Sequence, residues 1–339
     1  MKEHFRKIFA EKKDHFSAIL GQVRAKDEIK GALLMGRHII IVGPPGVGKT
    51  TIAKCVADLL PDVRLLDCSY HCSPKAPVCP SCRIKKPKTK IFKGSDRFVR
   101  VQGSPDLTAE DLLGDIDPAA ALKFGPQSIQ AFSPGKIFKA NQGVLFFDEL
   151  NRCPEKIQNS LLQVLEEGTV TIGPYSVDFP ADFIFIGTMN PEETAATEKL
   201  SDVFLDRFDV VHLSYPESLE IEKEIVLKKS EKLNVVFPEP VLLAAIDFVR
   251  SVRADKDVLK KPGVRASIGL FERAQANAFL AGRKEVSPED VASAVISVLS
   301  HRIELKPSVK FLQSVEEFLA ASFEAFSKSH PELSGGGGL

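Results

Sequence analysis

A glycine-rich segment, GPPGVGKT at positions 43–50, matches the pattern G-x-x-x-x-G-K-[ST] at every fixed position. In such a loop the glycines let backbone N–H groups turn inward around a polyphosphate, and the helix that follows adds the positive end of its dipole. Lys49 is placed to reach the β- and γ-phosphates of ATP, and the Thr50 hydroxyl to ligate Mg²⁺. A buried strand predicted at His38–Val42 and a helix predicted at Thr50–Leu60 favour this interpretation over a chance glycine turn. The residues predicted to bind nucleotide are Gly43, Pro44, Pro45, Gly46, Val47, Gly48, Lys49, Thr50 and Thr51.

Two carboxylates, Asp148 and Glu149, directly follow the apolar run Val144–Phe147. Ligands of open α/β sheets bind at the carboxyl ends of strands. Asp148 is therefore expected to hold Mg²⁺ through water, and Glu149 to deprotonate the attacking water as general base. The alternative is a polar corner in which Asp148 caps the next helix. The phosphate loop upstream favours the catalytic interpretation, because the separate roles then converge on one site.

A third apolar run, Phe183–Gly187, ends in Thr188-Met189-Asn190. A polar side chain at this point could hold the water between the acidic pair and the γ-phosphate. Asn190 is the preferred residue for this role and Thr188 the second choice. The alternative is a loop amide that bonds its own backbone.

Two arginines are candidates for contact with phosphate. Arg207 stands between two acids in Leu205–Asp209, and spacing alone favours a surface ion pair. Its alternative role is a finger that stabilises transition-state charge from a neighbouring subunit. Arg265 follows Pro262-Gly263-Val264 at the start of a predicted helix, from which it could reach the phosphates when a lid closes.

Four cysteines lie within fifteen residues in the spacing C-x3-C-x6-C-x2-C, at Cys68, Cys72, Cys79 and Cys82. Four thiolates this close in a reducing compartment suit a tetrahedral Zn²⁺ site, with His71 as a possible replacement for one thiol. A loop of free cysteines is the alternative. Cys55 and Cys153 have no such neighbours and are interpreted as packing residues.

A basic run follows the cysteines without an acid among its members: Arg83, Lys85, Lys86, Lys88, Lys90 and Lys93. A solvated loop is the preferred interpretation. Contact with nucleic-acid phosphates is possible but not favoured, and a docking surface for an acidic partner is a third alternative.

The bulk properties limit the class of protein. The 339 residues suffice for two domains, and the 45 Lys and Arg residues balance the 45 Asp and Glu residues, so net charge indicates neither nucleic acid nor membrane as a partner. The first sixteen residues are charged throughout, and no run reaches the roughly 18 apolar residues that span a bilayer. We therefore expect a soluble, cytoplasmic protein.

The order of predicted elements gives the fold class. Apolar strands alternate with helices up to Tyr215-Pro216, and helical periods dominate after it, at 217–233, 239–253, 265–282, 288–300 and 308–326. We predict an α/β nucleotide-binding domain over 1–216, with a parallel sheet in an αβα sandwich. A Cys-rich basic insertion at 67–97, a helical lid domain at 217–330 and a flexible tail at 331–339 complete the organisation.

Taken in order, these motifs resemble the AAA+ ATPases, specifically the clade of the magnesium chelatase ATPase subunit and the MoxR-like ATPases. Further segments that carry the resemblance are Ile19–Gln22, Gly135–Asn141, Asp148–Arg152, Gln163–Glu167, Gly187–Glu193 and His301-Arg302. It implies a P-loop AAA+ core, a helical lid, and a hexameric or heptameric ring with ATP at subunit interfaces. It also implies that Arg207 is a finger acting in trans, Asn190 is sensor 1 and Arg265 is sensor 2.

The resemblance also implies local features and a partner. Residues 114–142 would carry the clade's insertion in the second helix, and Thr169–Phe179, which alternates around Gly173-Pro174, would form a hairpin before sensor 1. A von Willebrand-type metal-ion domain, which the family places on a partner protein, is not in this sequence.

Three functions are compatible with these features. The preferred one is a ring ATPase that remodels or activates a partner protein or a metal-insertion complex. The second is a nucleic-acid-stimulated motor, and the third is a binding module in which nucleotide acts only as a switch. The acidic pair Asp148-Glu149 and the candidate finger Arg207 argue against the third.

Overall fold

The computed structural model describes residues 1–77, 79–84, 87–126, 128–172, 177–191 and 200–333. The chain forms two compact units. The first comprises Met1–Ile19, Val23–Gly43 and Gly48–Leu213; the second begins at Ser214 and takes in Leu20–Gln22 and Pro44–Val47. Several predicted features lie outside the described residues: the turn at Gly173-Pro174, Lys85, Lys86, residues 192–199 and the glycine-rich tail from Ser334.

A five-stranded parallel sheet is the centre of the first unit. Its strands are β1 (His38–Val42), β2 (Phe98–Gln102), β3 (Val144–Asp148), β4 (Ile184–Met189) and β5 (Phe208–His212). They pair in the order β5-β1-β4-β3-β2. The middles of β1, β3 and β4 are fully buried, as their continuous apolar sequences predict. Because all five strands run parallel, their carboxyl ends share one edge of the sheet.

Helices cover this sheet, which confirms the predicted α/β fold. Val23–Met35 packs on β1 and β5, and Lys49–Asp58 packs on β3. Glu155–Glu167 buries one apolar stripe, including Leu161 and Val164, and ends at Gly168 in the left-handed conformation. The other helices are Lys2–Phe9, Pro80–Ile84, Ala109–Leu113, Pro118–Phe124, Lys136–Lys139 and Asp202–Leu205, with 3-10 turns at Ser95–Arg97, Ile129–Ala131 and Leu150–Arg152.

Among the described residues of the first unit, three short antiparallel ladders lie in the connections between strands of the sheet. Val63–Leu66 pairs with Thr89–Phe92 and encloses the cysteine-rich segment. Gly114–Ile116 pairs with Phe132–Pro134 and encloses the helix Pro118–Phe124. Thr169–Ile172 pairs with Val177–Pro180 in the predicted hairpin.

The second unit is mainly helical around a core that includes Phe248, Leu270 and Val295. Its helices are Leu219–Lys229, Glu239–Ala254, Val264–Leu280, Pro288–Leu299, Pro307–Lys310 and Val315–Ser329, with 3-10 turns at Ser300–Arg302 and Pro331–Leu333. Val258–Lys260 pairs with Glu304–Leu305. Among the residues that the structure describes, every helix is too short or too polar to cross a membrane.

One predicted helix of the second unit is wrong in its extent. The segment 308–326 is divided into Pro307–Lys310 and Val315–Ser329. The division occurs because Ser314 begins a new helix with a capping box: its hydroxyl accepts from Glu317 N–H at 3.1 Å, and the Glu317 carboxylate accepts from Ser314 N–H at 2.7 Å.

Candidate nucleotide site and cysteine cluster

The phosphate loop leaves the carboxyl end of β1 beside β4. Gly43 N–H donates to the Met189 carbonyl at 3.2 Å, so the loop begins next to the end of β4. Gly48, with φ of 101°, precedes the helix Lys49–Asp58, and only glycine adopts this left-handed geometry readily. The Lys49 ammonium donates to the Gly43 carbonyl and thus lies across the loop. Gly43, Gly48 and Lys49, at the two ends of the loop, therefore bring a helix N-terminus and an ammonium to one edge of the sheet.

A buried hydroxyl on β4 joins the two acidic residues at the end of β3. Thr188, fully buried, donates to Asp148 Oδ1 at 2.6 Å and accepts from Glu149 N–H at 3.0 Å. The parallel register that places Gly187 beside Phe147 makes this contact possible. Thr188 thus fixes the Asp148 side chain and the Glu149 backbone in one place.

The Glu149 backbone is in an uncommon conformation. Its φ of 54° and ψ of 49° lie in the left-handed region, which a non-glycine residue adopts at a cost and which is often found at functional sites. Its carboxylate Oε2 accepts from Gln102 Nε2 at 2.9 Å and lies 3.3 Å from Arg152 Nη1. In this structure the carboxylate is therefore directed toward β2 and the following turn.

Two polar residues on edge strand β2 complete the acidic site, and sequence reasoning missed both. Arg100 Nη2 donates to Asp148 Oδ2 at 2.6 Å and to Gln102 Oε1 at 3.1 Å. Arg100 and Gln102 are two residues apart on a strand, so they point to the same face. The alternation of apolar and polar residues in Phe98–Gln102 indicates a half-exposed strand. It does not indicate which carboxylates the polar side chains contact.

The other candidate residues of the first unit lie as follows. Asn190 directly follows β4 and is half-buried. Arg207 directly precedes β5; its guanidinium forms an ion pair with Glu166 and donates to the Val203 carbonyl within the chain. About a third of the Arg207 side chain is exposed, 35%.

In the second unit, Arg265 lies in the first turn of the helix Val264–Leu280, beside the loop segment Pro44–Val47 of the same unit. A Cβ added to Gly263 would stand 2.5 Å from the Pro45 carbonyl oxygen, and one added to Gly46 would stand 3.3 Å from Arg265 Cγ. Glycine at these two positions therefore allows the helix start and the loop segment to approach closely.

A buried ion cluster holds this helix start in place. Arg253 donates to both oxygens of Glu222 at 2.8 Å and, through Nε, to the Pro262 carbonyl at 2.8 Å. Ser267, two residues after Arg265, donates to the same carboxylate at 2.6 Å. Burial alone would raise the pKa of Glu222, but the hydrogen bonds and charge of Arg253, with Ser267 and Arg250, hold that pKa below its ordinary value.

The four clustered cysteines converge in space. Their Sγ atoms all lie within 4.8 Å of one another. Backbone N–H groups of Cys72, Cys79 and Cys82 each donate to a sulfur of the group at 3.4 Å. A hydrogen bond with the Cys72 thiol lowers the pKa of Cys68 to about 5, whereas burial raises the pKa of Cys82 to about 12. Cys55 and Cys153 lie outside this group.

Comparison with known proteins finds matches to several parts of this chain. Three family models match parts of the chain: "Magnesium chelatase, subunit ChlI" at 15–71, "ATPase family associated with various cellular activities (AAA)" at 87–210, and "AAA lid domain" at 259–319. A magnesium-chelatase subunit ChlI homolog of Methanocaldococcus jannaschii is 29% identical over 327 residues, which cover 86% of each chain. Magnesium-chelatase subunit ChlI of Synechocystis is 29% identical and covers 86% of this chain and 88% of its own.

Among solved structures, a RuvB mutant from Thermotoga maritima aligns with a TM-score of 0.51 over 93% of this chain and 84% of that chain. At 16% identity this likeness concerns the fold alone. The fold is thus that of the P-loop AAA+ proteins, with a AAA+ core and a helical lid. The chain is similar to the magnesium chelatase ATPase subunits over most of its length, which confirms the resemblance seen in its motifs.

Proposed function

We propose that this chain is a ring-forming ATPase that hydrolyses ATP to remodel or activate a partner protein or metal-insertion complex, in the manner of a magnesium chelatase subunit I. The observation that carries the proposal is the meeting of three elements at one edge of the sheet. The phosphate loop follows β1, Thr188 lies on the adjacent β4, and Asp148-Glu149 ends the next strand, β3. This adjacency unites a polyphosphate site with the carboxylates that hydrolysis requires.

Each side chain has a role that its position supports. Lys49 holds the β- and γ-phosphates once it leaves the Gly43 carbonyl. Thr50 and Asp148 hold Mg²⁺, which when bound neutralises charge on the phosphates. The Asp148 carboxylate already accepts a hydrogen bond from the cationic Arg100 guanidinium at 2.6 Å. It is therefore placed to bind a positively charged ligand.

Hydrolysis itself is assigned to the residues beyond β3 and β4. Glu149 takes the proton from the attacking water as general base, after its carboxylate turns away from Gln102. Asn190, at the end of β4, orients that water. Arg265 contacts the nucleotide from the lid, which is consistent with its place beside Pro45 and Gly46.

Arg207 acts on the ATP of the neighbouring subunit in a hexameric or heptameric ring. Its present partners, Glu166 and the Val203 carbonyl, are partly exposed and within the chain. Exposed ion pairs of this kind contribute little, about 0–1 kcal/mol, so a phosphate could replace them at small cost.

The partner is inferred from the relatives. Those reported above are named as subunits of magnesium chelatase or a homolog of one, so we infer that the present motor also acts on another protein. The family resemblance suggests a partner with a von Willebrand-type domain.

We further propose that Cys68, Cys72, Cys79 and Cys82 bind a structural Zn²⁺. A tetrahedral site with Zn–S bonds of about 2.3 Å places sulfurs about 3.8 Å apart, and the separations here do not exceed 4.8 Å. The backbone N–H donors to sulfur would stabilise thiolates in the same place.

Substitution of Glu149 tests the reaction. Glu149→Gln should bind ATP as the wild type does and lose turnover by about 10²-fold or more, because a general base typically contributes that much. Glu155→Gln, an exposed glutamate in the first turn of Glu155–Glu167, is the matched control and should hydrolyse ATP normally. Near-normal turnover by Glu149→Gln would refute the assignment.

Mixing inactive variants tests the ring. Glu149→Gln and Arg207→Ala should each be inactive, but mixed rings should regain ATPase activity, because some interfaces then combine an intact base with an intact finger. Glu149→Gln mixed with Lys49→Ala should regain none, since both defects affect the same side of an interface. A failure of the first mixture, with mixed rings shown to form, would place Arg207 outside the neighbour's site.

A further inference from the structure

The cysteine-rich segment is strongly basic, and the proposed ATPase reaction gives these positive charges no role. The ladder Val63–Leu66/Thr89–Phe92 brackets most of the insertion predicted at 67–97, so residues 63–94 are called the basic insertion from here on. They contain eight Lys and Arg residues and a single acid, Asp67. The whole chain has 45 residues of each sign, so the remainder carries an opposite net charge of the same size. We infer that the basic insertion binds the phosphate backbone of duplex nucleic acid.

A ladder and a short helix carry several of these basic residues. The ladder between Val63–Leu66 and Thr89–Phe92 forms its base, with Arg64 opposite Ile91 and Leu65 opposite Lys90. The short helix Pro80–Ile84, which carries Arg83, is tied to the cysteine cluster through Cys82. The backbone positions of Arg64, Arg83 and Lys90 are thereby set before any partner binds, which lowers the entropic cost of binding.

The cations are available to a ligand. Arg64, Lys75, Arg83, Lys88, Lys90 and Lys93 are all exposed. None of these six forms an ion pair within the part of the chain that the structure describes, and Lys90 instead lies 5.2 Å from the Phe92 ring centroid. Exposed cations without an ion-pair partner can neutralise phosphates, and the release of the counterions condensed on the nucleic acid then drives association.

The residue types favour nucleic acid over an acidic protein. Six of the eight cations are lysines. Lysine is depleted in protein–protein interfaces, whose centres exclude charge, whereas nucleic-acid interfaces are strongly positive and polar. A lysine-rich surface therefore fits a phosphate backbone better than it fits the surface of another protein.

The aromatic residues favour a duplex over a single strand. Proteins that hold single strands stack the bases on exposed aromatic rings. The Tyr and Phe residues of the basic insertion, Tyr70 and Phe92, are buried, with 7% and 8% exposed. Phosphate contacts then supply the binding, and we expect no sequence preference.

Binding of the full-length wild-type protein to a short fluorescein-labelled DNA duplex, followed by anisotropy over a range of salt concentrations, tests the inference. The expected dissociation constant is about 1–100 µM at physiological salt, with a log–log salt slope of about −0.9 per phosphate contacted. The variant Lys88→Gln/Lys90→Gln/Lys93→Gln should bind at least about tenfold more weakly at low salt and lose about 3 units of slope.

The control variant changes three exposed lysines of the second unit, Lys232→Gln/Lys256→Gln/Lys310→Gln, and so removes the same charge elsewhere. It should bind the duplex within about twofold of wild type if the site is local. Equal loss in both variants would reduce the effect to net charge and overturn the inference. Tighter binding to the matching single strand, or equal binding to polyglutamate at the same salt, would also overturn it. Unchanged zinc content and melting temperature in both variants establish that the fold is intact.

Discussion

The Thr188 hydroxyl lies 2.6 Å from Asp148 Oδ1, on the neighbouring strand of the sheet, and donates a hydrogen bond to it. The Thr188 hydroxyl oxygen also accepts a hydrogen bond from the Glu149 backbone N–H at 3.0 Å. One fully buried hydroxyl therefore orients both acidic residues of the proposed site. It acts through them and is a positioning residue.

Replacement of Thr188 by valine should reduce ATP turnover while keeping the shape of the side chain. The change leaves the half-buried Glu149 N–H without an acceptor and Asp148 Oδ1 without its donor, which costs about 1–3 kcal/mol and corresponds to a loss of about 5- to 150-fold. Thr188→Ser keeps the hydroxyl and should restore most of the rate. Steady-state ATPase assays of the two variants give the comparison, and wild-type turnover by Thr188→Val would contradict this role.

Substitution of Arg100 should alter the response to Mg²⁺. The Arg100 guanidinium occupies Asp148 Oδ2 at 2.6 Å, so it competes with a metal for the same carboxylate. Because 53% of the Arg100 side chain is exposed, the pair is worth at most about 1 kcal/mol. Arg100→Gln should therefore lower the Mg²⁺ concentration that gives half-maximal ATPase activity by about two- to fivefold.

The control for this titration is Arg24→Gln, which breaks a more exposed arginine–carboxylate pair with Glu28 on the helix Val23–Met35. It should leave the Mg²⁺ dependence unchanged. An unchanged or increased Mg²⁺ requirement in Arg100→Gln would show that Arg100 does not compete at Asp148.

Metal analysis should find about one zinc per chain if the cysteine cluster is a structural site. Cys79→Ser should abolish the zinc and lower the melting temperature, because Cys79 lies within the converging group of sulfurs in the core of the first unit. Cys55→Ser, outside the group, should keep the full zinc content. Retention of zinc by Cys79→Ser, or its loss from Cys55→Ser, would contradict the four-cysteine assignment.

Local sequence was sufficient to predict the elements that carry the nucleotide motifs. β1 and β3 are continuous apolar runs that end at Gly43 and at Asp148-Glu149, and each forms the buried strand that was expected. The division at Ser314 was also available from sequence, because Ser314 and Glu317 have the spacing of a capping box.

Contacts between elements could not be predicted in this way. The bonds from Thr188 and Arg100 to Asp148 depend on the pairing order of the sheet, which places β3 between β4 and β2. Glu222 and Arg253 are on separate helices, and nothing in their local sequence indicates that a glutamate and an arginine would be buried together. Long-range pairing and burial, rather than local propensity, determine these parts of the site.

The Glu222–Arg253 ion pair should govern the acid stability of the second unit. The folded-state pKa of Glu222 lies below its ordinary value of about 4.3, so its stabilising contribution is present above that value and is lost as pH falls through the folded-state pKa. Arg253→Met leaves Glu222 fully buried with weaker compensation, which should cost about 3–5 kcal/mol at neutral pH. Because burial then raises the pKa of Glu222, acid destabilisation should begin at a higher pH than in the wild type.

Urea unfolding of the full chain at a series of pH values, followed by circular dichroism, measures both effects. Lys328→Met, which breaks the exposed pair with Glu324 in the same unit, is the control and should change stability by less than about 1 kcal/mol at any pH.

Since Arg253 also donates to the Pro262 carbonyl and Glu222 accepts from Ser267, the pair holds the helix start from which Arg265 projects. Arg253→Met should therefore weaken ATP binding as well. Unaltered stability and ATP affinity in this variant would show that the buried pair supports neither the fold of the lid nor the placement of Arg265.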